Sequence, residues 1–167
     1  MRARFTPPCD SRAGGRAATV RAMHKSHKAP DHHDADLVLK LYDLRREAVM
    51  RKSRDVLGGF LPRSYEDVLA FTKPDNPNNA AWRQVTSYFE MAYSFARHGI
   101  CNPDFLAENT GEGIYLFAKL APYIERLRKE VSPTILSNTE WIIQNSAMGK
   151  QRFEMFTARI QKMLAAK

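Results

Sequence analysis

The chain has 167 residues, 44% hydrophobic and 10% aromatic, enough to enclose one core without disulfides or a structural metal. No run approaches the roughly 18 apolar residues that span a membrane, and two cysteines, Cys9 and Cys101, with no CxxC pair, fit a reducing compartment rather than a secreted disulfide scaffold. The formal charge of +8 raises nucleic acid or an anionic surface as a partner, so where the charge lies matters more than its sum.

Half of the excess lies in residues 1–22, where Arg2, Arg4, Arg12, Arg16 and Arg21 face one acid, Asp10. Paired prolines, paired glycines and no apolar period predict a disordered basic tail over residues 1–33, because such a segment buries too little surface to offset its ordering entropy. It lacks the apolar region of a secretory signal, and Pro7-Pro8 and Gly14-Gly15 interrupt the amphipathic helix of a transit peptide. Residues 1–22 read as translated upstream sequence, with initiation expected at Met23; an intact mass that includes them would refute this. The remaining residues carry 21 Lys/Arg against 17 Asp/Glu, an ordinary surface for a small domain. His24, His27, His32 and His33 fall within ten residues, but without paired cysteines or a rigid element they are expected to take up purification metals rather than hold a resident ion. No cofactor is expected.

Asp34 or Asp36 is placed to cap a helix running to about Leu57, with Leu37, Leu41, Leu44 and Ala48 on one face and Val38 and Val49 widening it. Gly58-Gly59 ends it. Its polar face holds Arg45, Arg46, Arg51, Lys52 and Arg54, a candidate phosphate-contacting surface, although Asp43, Glu47 and Asp55 are interspersed and no recognisable DNA- or RNA-binding motif accompanies them. Ser64 opens a short helix with Asp67 completing an imperfect capping box, and Pro74 and Pro77 force a loop. In the long helix that follows, Trp82, Val85, Phe89, Ala92 and Ala96 form one stripe and Tyr88, Met91 and Phe95 an adjacent one, which predicts a central element.

Gly99 suits the left-handed position after that helix, with Ile100 packing back on its last turn, and Asn102-Pro103 starts the next. Gly111 and Gly113 read as turn residues before a helix whose stripe, Ile114, Phe117, Leu120, Ala121, Ile124, Leu127 and Val131, passes through a kink at Pro122. Pro133 separates this from two last helices over residues 138–145 and 147–166, the second with Phe153, Phe156, Ile160, Met163 and Leu164 at helical spacing. The expected fold is all-α, a compact antiparallel bundle of three or four long helices with short accessory ones, formed by residues 34–167 as a single domain.

Over residues 78–131, the aromatic helix with Phe89-Glu90, the Gly-x-x-x-x-Asp connector from Gly99 to Asp104, and the helix with Pro122 ahead of Arg126 and Arg128 resemble an uncharacterised bacterial family of all-helical domains of unknown function. The resemblance implies an all-α fold and brings no activity or catalytic set. Members with this pattern often begin with a membrane-spanning helix, whereas residues 36–57 are too charged to span.

Motifs for chemistry are sparse. Neither Glu-x-x-His nor HExxH occurs, which removes the common helical metal signals. His98 is placed to cap or to interact with a helix C-terminus. The glycines of NTGEG lack the upstream strand of a phosphate loop, and AMGK lacks the rest of a P-loop. Glu90, His98, Arg126 and Arg128 form a candidate polar cluster in which a carboxylate held near an arginine is a structural pair before it is a pocket. The reading that follows is a bacterial, cytoplasmic, non-catalytic helical interaction or scaffold protein, with a homo-oligomer or a protein as partner. The alternative is a nucleic-acid-associated module using the first helix and tail.

Overall fold

A computed structural model describes residues 28–166. The expectations for the basic tail, including Cys9, His24 and His27, fall outside those residues. All regular structure among the described residues is helical.

The first helix, α1 (His32–Arg46), starts slightly earlier than expected. Asp31 is its cap and accepts from the main-chain N–H of His33 (2.9 Å), while Asp34, three residues on, accepts from the N–H of Asp31 (2.9 Å). The predicted continuous helix to Leu57 is in fact two. At Glu47 the backbone turns extended (ψ 142°), and the Glu47 carboxylate takes the N–H of Met50 (3.0 Å), opening α2 (Ala48–Gly59). The break re-aims the apolar face. Leu41 is buried, but Leu44, Ala48 and Val49 stay exposed, and Met50, Ser53 and Leu57 turn inward instead.

Helix α3 (Tyr65–Thr72) carries both arms of its capping box: the Asp67 N–H donates to Ser64 Oγ (3.1 Å) and the Ser64 N–H to Asp67 Oδ2 (3.0 Å). Helix α4 (Asn79–Arg97) is the central element, in contact with α2 and α3 on one part of its surface and with the helices that follow on another. Trp82, Val85, Tyr88, Phe89, Ala92, Tyr93 and Ala96 are buried along it, whereas Met91 is exposed. Gly99 (φ +72°) ends α4 as predicted: its N–H donates to Ala96 O and the N–H of Ile100 to Phe95 O, the paired bonds of a left-handed terminus. The Ile100 side chain is exposed rather than packed back.

Asn102 caps α5 (Pro103–Asn109) with Pro103 at its first position. Gly111 and Gly113 lie within the first turn of α6 (Gly111–Leu120), not in a turn before it. A Cβ on Gly113 would sit 2.6 Å from the Tyr93 hydroxyl and 2.7 Å from Phe89 Cγ, so glycine here allows α6 to cross α4 closely. Pro122 sits in a 3₁₀ turn (Ala121–Tyr123) between α6 and α7 (Ile124–Glu130). Leu136 takes a left-handed conformation (φ +53°) before α8 (Ser137–Asn145). That backbone costs about 1–2 kcal/mol, and it seats the Leu136 side chain in the core.

The last helix, α9 (Ala147–Ala165), lies across α5, α6 and α8. Phe153 meets Phe117 (centroids 5.9 Å) and Phe156 meets Tyr115 (5.2 Å). Ile160 is buried, whereas Met163 and Leu164, expected on the same apolar face, are exposed.

Candidate functional site

Two polar centres organise the molecule, and a third lies where α1 meets α5. The first is built on Glu90. Helix α8 has no side-chain cap of its own, and Glu90, projecting from α4, supplies one: its carboxylate accepts from the N–H of Asn138 (2.9 Å), the N–H of Thr139 (2.8 Å) and Thr139 Oγ1 (2.7 Å). Asn138 Nδ2 returns a bond to Glu90 O (3.1 Å), and Arg97 donates to Asn138 Oδ1 (3.0 Å). A carboxylate at the positive end of a helix satisfies N–H groups that would otherwise lack partners.

The four residues of the candidate polar cluster do not converge. Arg128 donates to Glu140 (2.8 Å) and to Ile135 O (3.2 Å), so it bears on α8 at a different place from Glu90. Arg126 faces outward, bonded to Glu130 (2.9 Å), 3.6 Å from Glu66, with its guanidinium 3.8 Å over the Tyr65 ring. His98 is exposed at the end of α4, where only its main-chain N–H is engaged, with Ser94 O. The geometry forms no shared cleft from these residues.

The same capping device recurs. Asp104 of α5 accepts from Ser146 Oγ (2.6 Å) and from the N–H of Met148 (2.9 Å) at the start of α9. The buried Asp34 of α1 accepts from the N–H of Asn102 (2.8 Å) ahead of α5. Beside it, burial pushes the Cys101 thiol up to about 12, which removes the thiolate a nucleophile needs. Among the described residues no group of three or more His, Cys, Asp or Glu is placed to hold a metal ion, and His32 and His33 lie ring against ring (4.2 Å).

The second centre surrounds Glu112, in the first turn of α6. Arg54 grips its carboxylate with two N–H groups, one of them Nε at 2.7 Å, while Arg45 approaches to 3.8 Å. Two of the five residues of the candidate phosphate-contacting face are therefore turned inward on a carboxylate, and Arg54 also donates to Arg45 O (3.3 Å). Arg46, Arg51 and Lys52 remain exposed. Residues 112, 115 and 119 share one face of α6 by helical spacing, so Tyr115 and Lys119 continue the line from Glu112. Lys119 is only 3% exposed. Its Nζ donates to Leu57 O (2.9 Å) and Gly58 O (2.8 Å) at the end of α2 and lies 4.4 Å over the Tyr115 ring. Burial holds its pKa down to about 8, with Arg159 contributing. Arg54, Leu57, Gly58, Val85, Phe89, Glu112, Tyr115, Leu116 and Lys119 enclose a pocket of about 180 Å³. Sequence reasoning passed over Glu112 and Lys119 because each sits in an otherwise apolar helix, and their partners are more than fifty residues away.

Residues 30–146 match the family described as Domain of unknown function (DUF4760). The chain belongs to this family. The match covers α1 through α8, and α9, which completes the packing around α5, α6 and α8, follows it. The biochemical function of DUF4760 domains is unknown, in keeping with the resemblance found over residues 78–131. No curated protein and no solved structure matches the chain. Among the described residues of this DUF4760 protein, no helix is long and apolar enough to cross a membrane.

Proposed function

We propose that this protein is a non-catalytic helical interaction module whose α1–α2 outer surface docks a second copy of the chain. The observation that carries the reading is the surface itself. Leu39, Tyr42 and Leu44 of α1 and Val49 of α2 are 46–62% exposed, an unusual density of large apolar side chains in water for two short helices. Around them lie four exposed acids, Asp36, Asp43, Glu47 and Asp55, and four exposed bases, Lys40, Arg46, Arg51 and Lys52. A neutral surface of alternating sign suits an isologous pairing, in which every charge of one protomer has an opposite charge available on its twin. Leu39 and Tyr42 also border a groove of about 260 Å³ with Val38, Arg45, Tyr88, Asn109 and Thr110, large enough to take an apolar side chain of the partner.

The same charge balance counts against phosphate. Arg45 and Arg54 are occupied by Glu112, and the exposed arginines and lysine are matched by acids, so the surface offers little counterion release. In this reading residues 34–167 act as one unit, a compact antiparallel bundle, in a bacterial cytoplasm where the buried Cys101 stays reduced. Sedimentation velocity of the full chain tests it. A dimer is expected, converted to monomer by Leu39→Glu combined with Val49→Glu with an unchanged helical circular dichroism spectrum, since both side chains are exposed. A monomer at about 100 μM, a concentration that populates even a weak dimer, would overturn it.

A further inference from the structure

The pocket beneath Glu112 has a composition that specifies a ligand. Leu57, Val85, Phe89 and Leu116 make most of its wall, so it favours an apolar body. Its volume of about 180 Å³ compares with about 150 Å³ for a buried apolar cavity that holds benzene. The occupant is therefore the size of one ring with one small substituent.

Charge sets the substituent. Lys119 is buried, and no ion pair of the described residues includes it. Buried ammonium groups are ordinarily paired with an anion, and here the partners are two main-chain carbonyls and an aromatic face. Lys119 lines the pocket, and neither the carbonyls nor the ring supplies its charge with a counter-ion. Glu112 does not fill that role, because Arg54 and Arg45 already bracket its carboxylate. Arg159 adds positive charge nearby, 5.8 Å from the centroid of the same Tyr115 ring. The pocket lining thus holds two cations, Arg54 and Lys119, against one carboxylate, Glu112.

We propose that the pocket between α2, α4 and α6 binds a small organic monocarboxylate with an apolar, ring-sized body, the carboxylate resting against Lys119 and the body against Phe89, Val85 and Leu116. Helix α9 takes part in the recognition: Tyr115 is held by Phe156 and by Met163, whose sulfur lies 3.9 Å from the Tyr115 hydroxyl. The site lies apart from the exposed apolar side chains proposed to pair two chains, so either reading can fail without the other.

Benzoate and its neutral counterpart benzyl alcohol are the probes, titrated into the isotopically labelled full chain and followed by the main-chain amide signals of Gly58 and Leu116. Benzoate is expected to give saturable shifts with a Kd of about 1 mM or tighter, and benzyl alcohol to bind at least about tenfold more weakly, because it cannot compensate the ammonium. Lys119→Met should lower benzoate to the level of benzyl alcohol, and Leu116→Trp, which fills the pocket and keeps the lysine, should abolish both. A direct readout covers the case in which Lys119→Met does not fold: the side-chain NMR titration of Lys119 in the wild-type chain should move to higher pH when benzoate is added and stay in place with benzyl alcohol. Equal affinity for the two probes, the absence of saturable shifts, or a Lys119 titration indifferent to benzoate would each overturn the proposal.

Discussion

Replacing Glu90 by alanine strips the first turn of α8 of its cap. Three bonds disappear together, to the N–H groups of Asn138 and Thr139 and to Thr139 Oγ1, all at 2.7–2.9 Å. Thr139 is fully buried, so water cannot take over its donors at no cost. Loss of a helix cap costs about 1 kcal/mol, a buried hydroxyl left without a partner about 1 kcal/mol more, and the lost charge at the helix terminus about 0.5 kcal/mol. The expected total is about 2–3 kcal/mol, equivalent for a domain of this size to a fall in Tm of about 6–9 °C. Glu90→Gln keeps one side-chain oxygen as acceptor and should lose about half of that. Thermal unfolding by circular dichroism gives the magnitude, and hydrogen exchange at Asn138 and Thr139 locates it. A fall of less than about 2 °C for Glu90→Ala, with exchange at both amides unchanged, would show that Glu90 is not what holds α8 in place.

Gly113→Ala should be destabilising by about 1–3 kcal/mol in urea unfolding, despite the better helix propensity of alanine, because the new methyl lies within 2.7 Å of Phe89 Cγ and of atoms of the Tyr93 ring; a variant as stable as wild type would mean that α4 and α6 are not so closely crossed. The depressed pKa of Lys119, about 8, predicts a pH dependence of defined sign. The folded chain sheds this proton more readily than the unfolded one, so the penalty for a buried charge is full below pH 8 and is relieved between there and the ordinary lysine value, with stability rising. Because burial also raises the pKa values of Cys101 and the buried tyrosines, which contribute with the opposite sign over this interval, the measure is the urea midpoint of wild type relative to Lys119→Met at about pH 7.5 and 9.5; that difference should move in favour of wild type, and a difference that stays level or moves the other way would contradict it.

Local signals in the sequence were strong where one short stretch contained both partners. Ser64 with Asp67, Asn102 with Pro103, and Gly99 after α4 each complete a terminus within a few residues, and each stands where its spacing predicted. The stripe from Trp82 to Ala96 was legible for the same reason, since helical period alone brings those side chains to one face. The first helix was not. Its apolar residues continue in register past Glu47, and nothing in that spacing reveals that the Glu47 carboxylate will take the N–H of Met50 and start a new helix. Gly113 of α6 was misread similarly, because its role is the close approach of Tyr93 and Phe89 from another helix.

By itself, then, the sequence determined the helical class of the described residues, several helix ends and the apolar stripe of the central helix, all consequences of backbone geometry over one to four turns. Only the tertiary structure decided which charges matter. Glu90 became a cap for a helix 48 residues away, Arg54 was turned onto Glu112 across 58 residues, and Lys119 was buried against carbonyls 61 and 62 residues distant. The physical reason is that a polar side chain acquires its role from whatever donor, acceptor or charge the packing of apolar faces brings beside it.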